Sequence, residues 1–128
     1  MSTTGILLAA VHVTASPDVD AYAIEAELAR AINTHRKLRM SAEVSRADDV
    51  GRERDRRRHR HGFVAVLSLA DGVAWDRDEL AKHVQKAARK ALRRRFGEDV
   101  RARVSIATTA AQRSAYWFTL RGTPHPPY

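Results

Sequence analysis

One order of elements occurs twice in this chain, and that repetition restricts the folds open to it more than any single residue does. Ile6 to Ala15 is an apolar run containing β-branched residues and reads as a strand. Ser16 is a good N-cap, Pro17 suits the first helical position, and Asp18 and Asp20 complement the positive end of a helix dipole. Ala21, Ile24, Leu28, Ala31, Ile32 and His35 then recur at helical spacing, which predicts a helix over Pro17–His35 with one apolar stripe. Leu38, Met40, Ala42 and Val44 alternate with Arg39, Ser41, Glu43 and Ser45, the pattern of a half-buried strand. The order then returns. Phe63 to Ala70 is a second apolar strand, and Asp76 and Glu79 stand three apart as in a capping box. Leu80, Val84, Ala87, Ala88 and Ala91 give a second helix its inward stripe, and Gly97 is placed to end it as a left-handed residue. Ala102, Val104 and Ile106 alternate with Arg101, Arg103 and Ser105 in a fourth strand.

Strand–helix–strand twice in 128 residues predicts an α+β domain, a ferredoxin-like βαββαβ sandwich with antiparallel sheet order 4-1-3-2 and both helices on one face. In that order the first and third strands are central. These are the continuously apolar ones, while the second and fourth alternate with charge as edge strands do. A single domain over residues 1–122 is expected, with a long basic loop at 46–62 between the second and third strands. Ala115–Leu120 is a candidate extra strand or lid, and residues 123–128 a proline-rich tail.

Composition narrows the chemistry. Cysteine is absent, which excludes a disulfide scaffold, a thiol nucleophile and cysteine-ligated metals. No apolar run approaches the roughly 20 residues of a membrane span, and the N-terminus lacks a positive n-region. A cytoplasmic protein with no membrane partner is therefore expected. The net charge is +8 with a pI near 10.8, which favours polyanionic partners. That charge is concentrated beyond residue 45: residues 46–61 hold seven arginines against four acids, and residues 62–128 twelve cations against six acids.

Two cationic features stand out. On the second helix Lys82, Lys86, Arg89, Lys90 and Arg93 fall at i, i+4, i+7, i+8 and i+11, opposite the apolar stripe. They form a row about 16 Å long at 1.5 Å per residue, with no acid between Glu79 and Glu98. Like charges four apart cost a helix a few tenths of a kcal/mol per pair, which favours an external anion. The plainer alternative is a solvated face, with Arg93, Arg94 and Arg95 at the negative helix end. The second feature is the loop with Arg54, Arg56, Arg57, Arg58 and Arg60, whose guanidinium forks suit phosphate. Its interleaved acids and lack of aromatics weigh toward a solvated loop.

With helices on one side, the first strand shows an apolar set on either parity, so its free face needs a cover. The segment holding Tyr116, Trp117 and Phe118 is a candidate cover or subunit interface, or a stacking platform between Arg113 and Arg121. His61-Gly62-Phe63-Val64-Ala65-Val66 shares only the glycine and one aromatic with the RNA-recognition strand pattern, and Ala65 stands where a stacking ring is required.

His59 and His61 as metal ligands are opposed by the arginines around them. The chain has no phosphate-cradling loop, nucleophile elbow or dinucleotide fingerprint. Asp76, Asp78 and Glu79 read as helix-start residues, and His12 as a hydrogen-bonded core residue. No catalytic residue, metal or cofactor is expected. The pattern points to a small non-enzymatic module that docks on DNA or RNA electrostatically, without sequence preference. The alternative is an assembly subunit that forms a homo-oligomer through the open sheet face and the C-terminal aromatic segment.

Overall fold

The structure, a computed structural model, describes residues 2–3, 5–46, 59–107, 109 and 111–114. In chain order these give β1 (Ser2–Thr3), β2 (Ile6–Ala15), α1 (Ala21–Asn33), β3 (Met40–Arg46), β4 (His59–Leu69), β5 (Trp75–Asp76), α2 (Arg77–Phe96) and β6 (Arg101–Ile106), then a helical turn at 111–114. The class is mixed α+β, built on a four-stranded antiparallel sheet ordered β3-β4-β2-β6. In full chain numbering the sheet thus runs 3-4-2-6 where 4-1-3-2 was expected. The difference arises because β1 and β5 enter the numbering but pair only with each other, through Ser2–Asp76 and Thr3–Trp75. The apolar β2 and β4 are central, and the alternating β3 and β6 are the edges.

The pairing register decides which parity faces the helices. Val11 lies between Phe63 and Val104, and Ala9 between Ala65 and Ile106. These residues, with Val13, Leu67, Met40, Ala42 and Ala102, join Ile24, Leu28 and Ile32 of α1 and Leu80, Val84 and Leu92 of α2 in one core cluster. The other parity forms the open face. Its apolar residues are largely withdrawn from solvent: Ala10 and Val64 are buried, Leu8 and Val66 half-buried, and Ile6, at 71%, is strongly exposed. Phe63 points into the core at 1% exposure, so it offers no ring for base stacking.

Helix boundaries follow local chemistry. α1 begins four residues later than Pro17, because Ser16 donates its hydroxyl hydrogen bond to Asp18 and its carbonyl accepts from Val19 N–H, closing a turn. Asp20 is the N-cap and accepts from Tyr22 N–H at 3.1 Å. α2 starts as expected, with the Asp76 carboxylate accepting from Glu79 N–H at 3.1 Å. It ends at Gly97, whose φ of +116° excludes other residues without strain; its ψ of 159° lies outside the left-handed helical region expected. Leu92, not Ala91, completes the buried stripe. The expected loop at 46–62 is shorter at both ends, since Arg46 belongs to β3 and residues 59–62 to β4.

Helix side chains occupy part of each sheet edge. Unpaired backbone groups on an edge strand invite another strand to add. On β3, Asn33 of α1 accepts from Ala42 N–H at 2.9 Å and donates to Ala42 C=O at 3.0 Å. On β6, Gln85 accepts from Val104 N–H at 3.0 Å, and Arg89 Nε donates to Ala102 C=O at 2.9 Å. Arg93 Nε donates to Val100 C=O, just before the strand, at 3.1 Å.

Glu27 interrupts the apolar stripe of α1 and is only 3% exposed. It accepts from Arg30, one turn on, and from Arg95 Nη1 of α2 at 3.1 Å, so it ties the two helices together. The Arg30 hydrogen bond, aided by Arg95 and working against burial, holds the Glu27 carboxyl below the ordinary glutamate range. Its contribution is therefore fully present above the unfolded-state pKa and is lost as pH falls through the lower folded-state value. Glu27→Ala is expected to cost about 1–2 kcal/mol at neutral pH, since both arginines are half-exposed and can return to water. Thermal melts of the two proteins should differ at neutral pH and converge in strong acid.

Candidate polyanion-binding face

The 20 residues of α2 set its cationic row. Burying Leu80, Val84, Ala87, Ala88 and Leu92 turns Lys82, Lys86, Lys90, Arg93 and Arg94 to solvent, with Arg89 half-buried. The row is less uniform than its spacing suggests. Lys82 pairs with Glu79 at 3.5 Å, an exposed contact that takes up part of its charge. Arg89 and Arg93 are fixed by Nε to backbone carbonyls. A carbonyl positions a guanidinium without neutralising its positive charge. Among the described residues no carboxylate lies within ion-pair distance of Lys86, Lys90 or Arg94.

Lys86, Lys90 and Arg94 form one bank of a groove of about 560 Å³ between α2 and the end of α1, with Arg30, Arg36 and Lys37 on the other bank. Among the described residues only Arg30 of these six cations has a carboxylate partner. His35 sits in the same groove with a buried Nδ1 that has no hydrogen-bond partner among the described residues. Sequence periodicity missed Arg36 and Lys37, which lie in the turn after α1 and join α2 only through packing.

The loop arginines Arg54, Arg56, Arg57 and Arg58 lie outside the described residues, as do Tyr116, Trp117 and Phe118 and the tail at 123–128. Arg60 is described and stands exposed on the open face of β4. Its pairing partner is Thr14, which also pairs with Arg101, while His12 pairs with Gly62 and Arg103. His12 is thus an exposed open-face residue and not the core histidine expected. Partial burial, then Arg60 and Arg103, hold its imidazole below the ordinary histidine range. No described group of three or more His, Cys, Asp or Glu is arranged to hold a metal ion. Among the described residues no helix is long and apolar enough to cross a membrane.

No family model matches the chain, and no curated protein does. Among solved structures the chain is similar to the crystal structure of a hydantoinase/carbamoylase family amidase from Burkholderia ambifaria, at 21% identity and a TM-score of 0.46. The overlap covers 83% of this chain and 29% of that one. So slight a likeness transfers no activity: the chain spans under a third of the amidase's length.

Proposed function

We propose that this chain is a non-enzymatic, ferredoxin-like module that docks on the phosphate backbone of nucleic acid through α2 and the arginine-rich segment before β4. The fold reading is supported by the four strands of the main sheet. Counted by themselves and taken from the β6 edge, they follow the order fourth, first, third, second, with α1 and α2 in one core on one face. The functional reading is carried by one observation: Lys86, Lys90 and Arg94 face a shared groove with Arg36 and Lys37, and no described carboxylate pairs with any of the five. Such a surface repels itself until an anion arrives, and phosphate contacts of this kind carry no base preference.

The assembly reading has weaker support. Helix side chains take up Ala42 on one sheet edge and Ala102 and Val104 on the other, and Ala10 and Val64 on the open face are already buried. Gel shifts with single- and double-stranded probes at two ionic strengths, beside light scattering, separate the two. Binding that weakens sharply with salt is expected; a stable oligomer that ignores both probes at low salt would reject the nucleic-acid reading.

A further inference from the structure

We propose that the β6 corner of the open sheet face is a second phosphate-binding site, formed by Arg60, Arg101 and Arg103 around His12 and Thr14. It rests on the polyanion reading in one respect only, that a bound strand would reach it from α2.

Cross-strand pairing places these groups in two adjacent rows. Thr14 is flanked by Arg60 on β4 and Arg101 on β6; His12, two residues away on the same face, is flanked by Gly62 and Arg103. Side chains in such positions stand about 5 Å apart at their Cβ atoms. The five residues line a hollow of about 650 Å³ that no described carboxylate borders. Arg60 and Arg101 stand on either side of β2, about 10 Å apart, and Arg103 lies two residues from Arg101 on β6, so three positive charges gather at one corner and nothing described there offsets them. An anion seated there would. Three guanidinium forks surround the hollow with donors, and the Thr14 hydroxyl adds another, the donor set that a phosphate's oxygens accept from.

Arg89 connects this hollow to the helix. It lines both the β6 corner and the outer face of α2, and its Nε bond to Ala102 C=O holds it at the rim between them. A strand lying on α2 would therefore cross the β6 edge at Arg89 and place its next phosphates over Arg101 and Arg103.

His12 reports on the site. The groups facing it are Arg60 from β4 and Arg103 from β6, with Arg101 one row away; partial burial first, then these two arginines, disfavour its protonation. A bound phosphate reverses that field. The complex then takes up a proton that the free protein does not hold, and affinity rises as pH falls.

The test follows the His12 ring by NMR through pH titrations with inorganic pyrophosphate, and separately with a short oligothymidylate. Either anion is expected to raise the His12 titration midpoint by about one unit, the effect of one opposite charge nearby. Arg101→Ser with Arg103→Ser, both exposed on an edge strand, should abolish that rise. It should also weaken oligothymidylate binding about tenfold and flatten its log–log salt slope by about 1–2, the loss of one or two phosphate contacts. Thermal melts of the double variant confirm that it folds. A His12 midpoint unmoved by both anions overturns the site, as does a folded double variant that binds oligothymidylate like wild type. If pyrophosphate moves His12 while no oligonucleotide binds, the corner stands as a site for small phosphates and the nucleic-acid reading fails.

Discussion

Phe63→Ala is expected to lower stability by about 3–5 kcal/mol, the largest loss from any single truncation in this core. Among the described residues Phe63 is the largest of the fully buried side chains, at 1% exposure. It sits on the central strand β4, directly between Val11 of β2 and Arg46 of β3. Both neighbouring strands are held by backbone ladders, so the sheet cannot close over the cavity that truncation leaves. The helices opposite are fixed by Glu27, which bridges α1 to α2. Val66 lies three residues along the same strand but on the open face and is half-buried, so Val66→Ala should cost under about 1 kcal/mol. Urea unfolding of the two variants checks the register. A Phe63→Ala loss no larger than that of Val66→Ala would place Phe63 on the wrong face.

The second large effect concerns binding. Reversing Lys86, Lys90 and Arg94 together to glutamate is expected to weaken nucleic-acid binding at least about hundredfold, because each reversal both removes a phosphate contact and adds a repulsion. The choice of positions matters. Arg89 and Arg93 belong to the same row, but replacing them would release the backbone carbonyls of Ala102 and Val100 and unsettle the β6 edge. Lys86, Lys90 and Arg94 are exposed and have no described carboxylate partner. The triple variant should therefore melt within a few degrees of wild type. Unchanged binding would remove the role given to α2, and lost binding with a collapsed melting temperature would show that these residues support the fold.

What was legible in the residues was mostly local. The bounds of β2, the Asp76 cap and the buried positions of α2 up to Ala88 rest on contacts within a few residues, which spacing and side-chain chemistry specify. Ser16 reads as the cap and Asp20 as a dipole partner, but the turn closed by Ser16 and Asp18 makes Asp20 the cap instead. The edge contacts were not legible. Asn33 reaches Ala42 across nine residues and Gln85 reaches Val104 across nineteen, so each needs the finished sheet to have a partner. Nothing in the helical spacing singles out Glu27, because its partner Arg95 lies 68 residues further on. The basic site was half visible. Helical periodicity gathers Lys82 to Arg93, but only tertiary packing brings Arg36 and Lys37 to the same groove, and only strand register sets His12 beside Arg103.

The central claim is that an unneutralised cationic face on α2 meets phosphates, and the salt dependence of binding tests it most directly. Affinity for a mixed-sequence duplex should fall with a log–log slope near −4.5 if about five phosphates are engaged, and the Lys86, Lys90 and Arg94 reversal should flatten that slope. A wild-type slope near zero, or one the reversal leaves unchanged, would contradict it.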